Sequence, residues 1–237
     1  MDTARIAALL EPFLLQPLPD DALGQISTYI DLLRRWNARI NLTAVRDPEA
    51  IVTRHFGESL FLARHLFPEP GPLERSEERV GVAGPTRSRV PGTDHCPLPT
   101  DHCTVLDIGS GAGFPGLPVK IWAPAVSLTL VESNHKKAAF LREVARALTL
   151  TDVNVTTERA ETIRLPPAHF VTLRAVERFE TILPLVARSL GPGGRLALLI
   201  GSSQASLIPT LVPNLRWLSP IAIPQSRSRI LAITTSA

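Results

Sequence analysis

Leu23, Ile26, Ile30 and Leu33 recur at three- and four-residue steps, which sets them on one face of a helix opened by Asp20 or Asp21. Asp47-Pro48-Glu49 opens another helix, with an aspartate cap, a proline at the first helical position and an acid near the positive end of the dipole. That helix is expected to run through His55 and Leu60 to about Leu66, so residues 1–66 read as a helical cap. From residue 104 the pattern changes. Apolar runs of strand length occur at Thr104–Ile108, Ser127–Val131, Val153–Thr156, Phe170–Leu173 and Arg195–Ile200. Helical stretches at Leu117–Trp122, Asn134–Leu148 and Glu177–Leu190 lie between them. This alternation predicts an α/β fold, a parallel sheet with helices on both faces. Leu215–Ser219 and Arg229–Thr234 are expected to supply two final strands, and Gly191-Pro192-Gly193-Gly194 a tight turn into the Arg195 strand.

Composition separates a third segment. Residues 67–103 hold 7 Pro and 4 Gly among 37 residues, too little apolar surface to offset ordering the chain, so a mobile linker or insertion is expected there. Residues 104–237 then form the second folded unit. Thr-Asp-His-Cys occurs twice in the linker, at 93–96 and 100–103. His95, Cys96, His102 and Cys103 carry metal-ligand atoms, but the spacing is not that of a known finger and adjacent ligands rarely converge on one ion, so no metal site is expected.

The remaining bulk features narrow the class. The chain has 237 residues, 44% hydrophobic and 20% charged, as in an ordinary globular protein. Its longest apolar runs, such as Leu196–Ile200, are too short to cross a bilayer, and Met1–Leu10 lacks the features of a signal peptide. A cytoplasmic protein without membrane contact is expected, and its two cysteines suit a compartment where no disulfide is needed. Residues 104–237 carry 14 basic and 8 acidic side chains, a balance of +6, against −1 for 1–66 and −2 for 67–103. Positive charge concentrated in the last segment suits a polyanion such as nucleic acid, and equally an ordinary solvated surface.

The densest chemistry lies in Val105-Leu106-Asp107-Ile108-Gly109-Ser110-Gly111-Ala112-Gly113-Phe114-Pro115-Gly116. A strand ends in an acid, and a glycine-rich turn then opens a helix, where open α/β sheets bind ligands. Gly111-x-Gly113-x-x-Gly116 formally fits the dinucleotide fingerprint. Three features favour S-adenosylmethionine instead. Asp107 puts a negative charge where a cationic amino acid is welcome and a pyrophosphate is not. Gly109-x-Gly111-x-Gly113 follows directly, in the methyltransferase form of the turn. Glu132 ends the second strand 25 residues after Asp107, at a position suited to accept from both ribose hydroxyls.

The acceptor is narrowed by elimination. Cys96 and Cys103 precede the first strand, which disfavours cytosine-C5 chemistry with its cysteine nucleophile. Thr172-Leu173-Arg174-Ala175 follows the fourth strand in place of the Asn/Asp-Pro-Pro-aromatic turn of exocyclic amino methylation. An arginine there suits a phosphate, a carboxylate or the acceptor edge of guanine.

Trp36-Asn37-Ala38-Arg39-Ile40-Asn41-Leu42-Thr43, Arg54-His55-Phe56-x-x-Ser59-Leu60, Asp107 through Pro118, Arg159-Ala160-Glu161 and Arg174-Ala175-Val176 together resemble the bacterial 16S ribosomal RNA guanine-N7 methyltransferases, also called glucose-inhibited division protein B. The resemblance covers about residues 20–201 apart from the linker. It implies a Rossmann-like class I methyltransferase sheet with an N-terminal helical extension, S-adenosylmethionine as cofactor, and 16S RNA or the small ribosomal subunit as partner of a monomer. It implies that Asp107, Gly109, Ser110, Gly111, Gly113, Phe114 and Glu132 serve the cofactor, that Ala160 and Glu161 flank its adenine, and that Arg174 sits at the cofactor–substrate junction. Asn41, His55 and Arg159 would stand near the target base, although Asn41 could equally cap a turn, His55 pack in the core and Arg159 face solvent. Departures from the family pattern are Leu173 in place of Ser, Ile200 in place of Lys, Gly57-Glu58 in place of an apolar-Asp pair, and the long linker. Two alternatives stay open: a non-catalytic RNA- or ribosome-binding protein on the same fold, and an NAD(P)-dependent oxidoreductase.

Overall fold

The structure, a computed structural model, describes residues 1–67, 103–162, 164, 166–175 and 178–235. The chain opens with α1 (Thr3–Leu10), capped by Asp2, whose carboxylate accepts from Arg5 N–H at 3.4 Å, and continues through a 3₁₀ turn at Glu11–Phe13. Helix α2 (Asp20–Asn37) buries Leu23, Ile26, Ile30 and Leu33, the face its spacing predicts. Its N-cap is Pro19 and Asp20 is the first helical residue, so the carboxylates act on the dipole and not as the cap. Asp47 does cap α3 (Pro48–Ile51), accepting from Ala50 N–H at 2.7 Å. That helix does not run on regularly. A π-helical turn at Val52–Gly57 joins it to α4 (Glu58–Leu66).

The rest alternates as expected: β1 (Thr104–Ile108), α5 (Gly116–Trp122), β2 (Ser127–Val131), α6 (His135–Ala147), β3 (Val153–Thr156), β4 (Ala168–Arg174), α7 (Phe179–Ala187) and β5 (Leu190–Gly201). Two short helices, α8 (Ser202–Ala205) and α9 (Ile208–Leu211), lead to β6 (Ile221–Ala222) and β7 (Arg229–Ile233). The sheet order is β3-β2-β1-β4-β5-β7-β6, with β1 to β5 mutually parallel and β7 antiparallel to both of its neighbours. Chain order reverses at β1, so β1 and β4 part above the end of the sheet and leave a crevice there.

Two expectations are corrected. Leu215–Ser219 is not a strand: only Trp217 forms a bridge, to Thr234, and the edge strand is Ile221–Ala222. Gly191–Gly194 is not a separate turn but lies within β5, where the register against β4 slips between Ala168 and Phe170. Gly194 is required there, because a Cβ would lie 2.8 Å from the Ala168 carbonyl oxygen.

Two apolar clusters hold the layers. One joins the extension to one sheet face: Ile6, Phe13, Tyr29, Ile30, Phe56 and Leu60 share it with Val105, Phe114, Phe140 and Leu199. The other packs Ile182, Leu183 and Val186 of α7 on the opposite face with Leu106, Leu173, Leu196 and Ile200. Leu173 and Ile200, two of the family departures, are therefore core positions. Cys103 is buried and disulfide-bonded, which departs from the expectation of cysteines without a crosslink. His95, Cys96 and His102, named above as metal-ligand types, lie outside the described residues, as does most of the 67–103 linker. No helix among the described residues is long and apolar enough to cross a membrane.

Candidate active site

A cavity of about 550 Å³ opens above the carboxyl ends of β1, β2 and β4. Such a volume suits a drug-sized ligand. Its floor is the turn after β1, where Gly109, Gly111 and Gly113 have φ of 68°, 57° and 89°. Gly109 and Ser110 N–H both donate to the Val131 carbonyl, at 2.9 and 3.1 Å, and Ser110 Oγ donates to the Asp107 carbonyl. The glycines differ in what they permit. A Cβ on Gly113 would meet Tyr29, Leu117 and Leu141 at 2.3–3.1 Å, so this glycine serves packing. A Cβ on Gly111 would approach nothing closer than 3.8 Å in the protein, so the space beside it is open to a ligand.

Asp107 lies beneath this floor and not on the cavity wall. It is fully buried; Thr172 Oγ1 donates to one carboxylate oxygen at 2.8 Å and Gly116 N–H to the other at 3.2 Å. Burial pushes its carboxyl up to about 6, against the pull of those bonds and of Arg174. Gly116 is the partner because any Cβ there would sit 2.7 Å from that carboxylate. Glu132 is on the wall. Its oxygens accept from Gly111 N–H at 2.9 Å and Asn134 N–H at 2.8 Å, tying the turn to the end of β2 and keeping lone pairs for a ligand.

The helical extension roofs the cavity. Tyr29 OH donates to the Ala112 carbonyl, and its ring stacks on Phe114, with centroids 5.4 Å apart and planes 4° apart. On its other side Phe114 stacks on His55 at 4.9 Å. The π-helical turn exposes one edge of His55 to β4, and Arg174 meets it there. Arg174 Nη2 lies 3.0 Å from His55 Nδ1, 2.6 Å from the Arg54 carbonyl and 3.1 Å from Glu58 Oε2. Glu58, almost fully buried, also pairs with Arg229 Nε at 3.1 Å. Two cations thus share one carboxylate. Burial, then the charges of Arg174, Arg54 and Arg229, drives His55 down to about 3, so the ring is neutral at any physiological pH.

Of the residues expected in the site, Gly109, Ser110, Gly111, Phe114, Glu132, Ala160, Glu161, Arg159, Arg174 and His55 line this cavity. Asp107 and Gly113 support it from behind. Asn41 is exposed and does not line the cavity; Asn37 holds the turn that follows the helix. Asn37 Oδ1 accepts from Leu42 and Thr43 N–H, and its Nδ2 donates to the Thr43 carbonyl, which holds Thr43 on the wall. In the sequence Asn37 and Thr43 stand only as members of a motif, and Glu58 only as a departure from the family pattern. A Trp-Asn pair six positions before a Leu-Thr pair is the local signal for Asn37 and Thr43. Gly57 has a direct explanation: a Cβ would lie 2.7 Å from the Phe13 ring, which fills the room an apolar side chain would take.

A family model described as GidB, rRNA small subunit methyltransferase G, matches residues 22–69 and 96–211. Ribosomal RNA small subunit methyltransferase G of Chloroflexus aggregans (strain MD-66 / DSM 9485) is 36% identical over 231 residues, 92% of this chain and 84% of its own length. The chain belongs to the rRNA small subunit methyltransferase G family. The family member of Roseiflexus castenholzii (strain DSM 13941 / HLO8) is 39% identical over 223 residues, 89% of this chain and 82% of that one. Solved structures agree on the fold. TYW2 of P. horikoshii in complex with MeSAdo superposes with a TM-score of 0.50 at 11% identity, over 59% of each chain. The mitomycin 7-O-methyltransferase MmcR gives 0.50 at 19% identity, over 58% of this chain and 50% of that one. The fold is thus the Rossmann-like methyltransferase sheet with an N-terminal helical extension. Family membership sets the NAD(P)-dependent oxidoreductase aside and makes this chain an S-adenosylmethionine-dependent methyltransferase.

Proposed function

We propose that this methyltransferase of the small-subunit rRNA family methylates N7 of a guanine in 16S ribosomal RNA, presented by the RNA or the small subunit to a monomeric, cytoplasmic enzyme. The observation that carries the reading is the meeting of Arg174 and His55 on the wall of the glycine-loop cavity. S-adenosylmethionine, when bound, would supply a methyl group activated on a sulfonium, and its transfer to N7 would require no proton to be removed by the enzyme.

The residues fit that cofactor. The open space at Gly111 admits close backbone approach, Glu132 offers acceptor oxygens for ribose hydroxyls, and Ala160 and Glu161 line the cavity where the adenine would lie. Guanine N7 carries a free lone pair, so the enzyme has no base to supply, and a neutral His55 suits that economy. What remains is orientation and electrostatics. Phe114 and Arg174 line the part of the cavity that a flipped base would enter, the guanidinium 5.9 Å from the ring centroid. Arg159, exposed on the rim, is available to phosphates.

The test is methyl transfer from labelled S-adenosylmethionine to small subunits, or their 16S RNA, lacking native methylation, followed by nucleoside analysis. N7-methylguanosine supports the reading; a different methylated nucleoside, or cofactor binding without transfer, overturns it.

A further inference from the structure

We propose that the Thr43 hydroxyl donates a hydrogen bond to O6 of the guanine being methylated, which makes Thr43 a specificity-determining residue; this rests on the N7 reading above.

The argument is an accounting of protons and lone pairs. A threonine hydroxyl has one proton and two acceptor positions. Val45 N–H occupies one acceptor position of Thr43 Oγ1 at 3.1 Å. His55 Nε2 lies 2.8 Å away, and the far side of the ring sets the direction of that bond. Arg174 Nη2 stands 3.0 Å from Nδ1 and shares its two hydrogens among Nδ1, the Arg54 carbonyl and Glu58; a second N–H at Nδ1 would face this donor, so the contact sets the Nδ1 lone pair toward the guanidinium. The ring sits among Arg54, Arg174 and Arg229 and is held neutral, and a neutral imidazole with a bare Nδ1 carries its proton on Nε2. His55 therefore donates to Thr43. Both acceptor positions of the hydroxyl are filled, and among the described residues nothing accepts its proton.

That proton has one way out. Thr43 is half-exposed and lines the cavity beside His55 and Arg174. Its backbone cannot swing the hydroxyl away, because Asn37 holds both its N–H, at 3.1 Å, and its carbonyl, at 3.0 Å. The wall thus offers a fixed donor next to a guanidinium. Guanine shows two adjacent acceptors on this edge, N7 and O6, whereas adenine shows N7 and the N6 amino donor. With N7 reserved for the methyl group, O6 is the atom left for Thr43. An adenine in the same pose would set donor against donor.

The test uses 16S RNA transcribed with a small fraction of its guanosine replaced by 6-thioguanosine and assembled into small subunits. In one reaction, the ratio of N7-methylated 6-thioguanosine to N7-methylguanosine is read by mass spectrometry and normalised to incorporation. Sulfur is a poor acceptor, so wild type and Thr43→Ser should discriminate against the thio base several-fold, while Thr43→Val and Thr43→Ala should lose that discrimination. The effect of sulfur on N7 itself is common to all four proteins and cancels. Val and Ala variants should also lose roughly 10- to 100-fold in kcat/KM on unmodified subunits. Their calorimetric affinity for S-adenosylmethionine should stay at the wild-type value, which certifies their fold. An equal thio ratio in wild type and Thr43→Val overturns the assignment. Absence of N7-methylguanosine with the wild-type enzyme instead overturns the underlying reading.

Discussion

Arg174 on β4 and His55 on the π-helical turn of the extension meet at 3.0 Å although 119 residues separate them in the chain. The contact closes the roof of the cavity onto its wall. It also fixes what each residue can do: the arginine is held by its Nη2 side, and the histidine is held neutral.

Replacing Arg174 should damage transfer far more than cofactor binding. Arg174→Ala is expected to lower kcat/KM by at least 100-fold while calorimetric affinity for S-adenosylmethionine changes by only a few-fold. Arg174→Lys should rescue little, because one ammonium cannot reproduce bonds to the Arg54 carbonyl, Glu58 and His55 together. Wild-type turnover in either variant would remove Arg174 from the site.

Glu58 is the common counter-charge of Arg174 and Arg229. Glu58→Gln leaves two partly buried cations facing each other, and removing one partner from a buried ion pair costs about 3–5 kcal/mol. Adding Arg229→Met to Glu58→Gln should recover part of that loss, since one cation is then gone. Urea unfolding of the single and double variants measures both terms, and additive losses would refute the coupling.

The two critical glycines should separate stability from binding. Gly113→Ala forces a methyl group against Tyr29, Leu117 and Leu141 at a φ of 89°, so a loss above about 2 kcal/mol of folding stability is expected. Gly111→Ala meets no atom closer than 3.8 Å and carries only the left-handed penalty of about 1–2 kcal/mol. Its larger effect should be on S-adenosylmethionine affinity, read by calorimetry.

His55 should leave no ionisation in the pH–rate profile near its ordinary value. Its folded pKa is lowered to about 3 from 6.5, so between those values the unfolded chain binds a proton that the folded chain refuses. Stability from this group is present above 6.5 and lost as pH falls, with a slope of about 1.4 kcal/mol per pH unit. Asp107 works in the opposite sense. Its pKa is raised from 3.8 to about 6, so its contribution is present below 3.8 and lost as pH rises through 6. The two slopes offset each other in the wild type. His55→Gln removes one of them, and denaturant titrations across that range should then show stability falling as pH rises. An unchanged slope would mean that His55 titrates normally.

Most of the scaffold was legible from periodicity. The bounds of β1, β2 and β3 follow directly from apolar runs of strand length, and the glycine turn and Glu132 stand where the alternation puts them. What escaped depends on distant partners. The π-helical turn has no local signature; Gly57 is understood only when Phe13 is seen against it. Ile200 read as a missing charge, yet it packs opposite Ile230 in the second apolar cluster, and Arg229 on the next rung brings a guanidinium to Glu58. Asp107 is expected from the sequence to serve the cofactor, and its depth beneath the loop is not legible there, because sequence gives order along the strand and not depth. Thr43 stands in the sequence only as the end of a motif, because its hydroxyl acquires meaning only once the protonation of His55 is set by Arg174.

The three stacked rings of Tyr29, Phe114 and His55 run from α2 of the extension through the glycine loop to the wall that Arg174 shares. Phe114 belongs to both halves of the site, so whatever stills it stills the surfaces on either side. Any coupling this stack carries is reciprocal: the factor by which a bound cofactor alters the hold on RNA must equal the factor by which bound RNA alters the hold on the cofactor. Loosening the stack should uncouple them, leaving an enzyme that binds each ligand as though the other were absent.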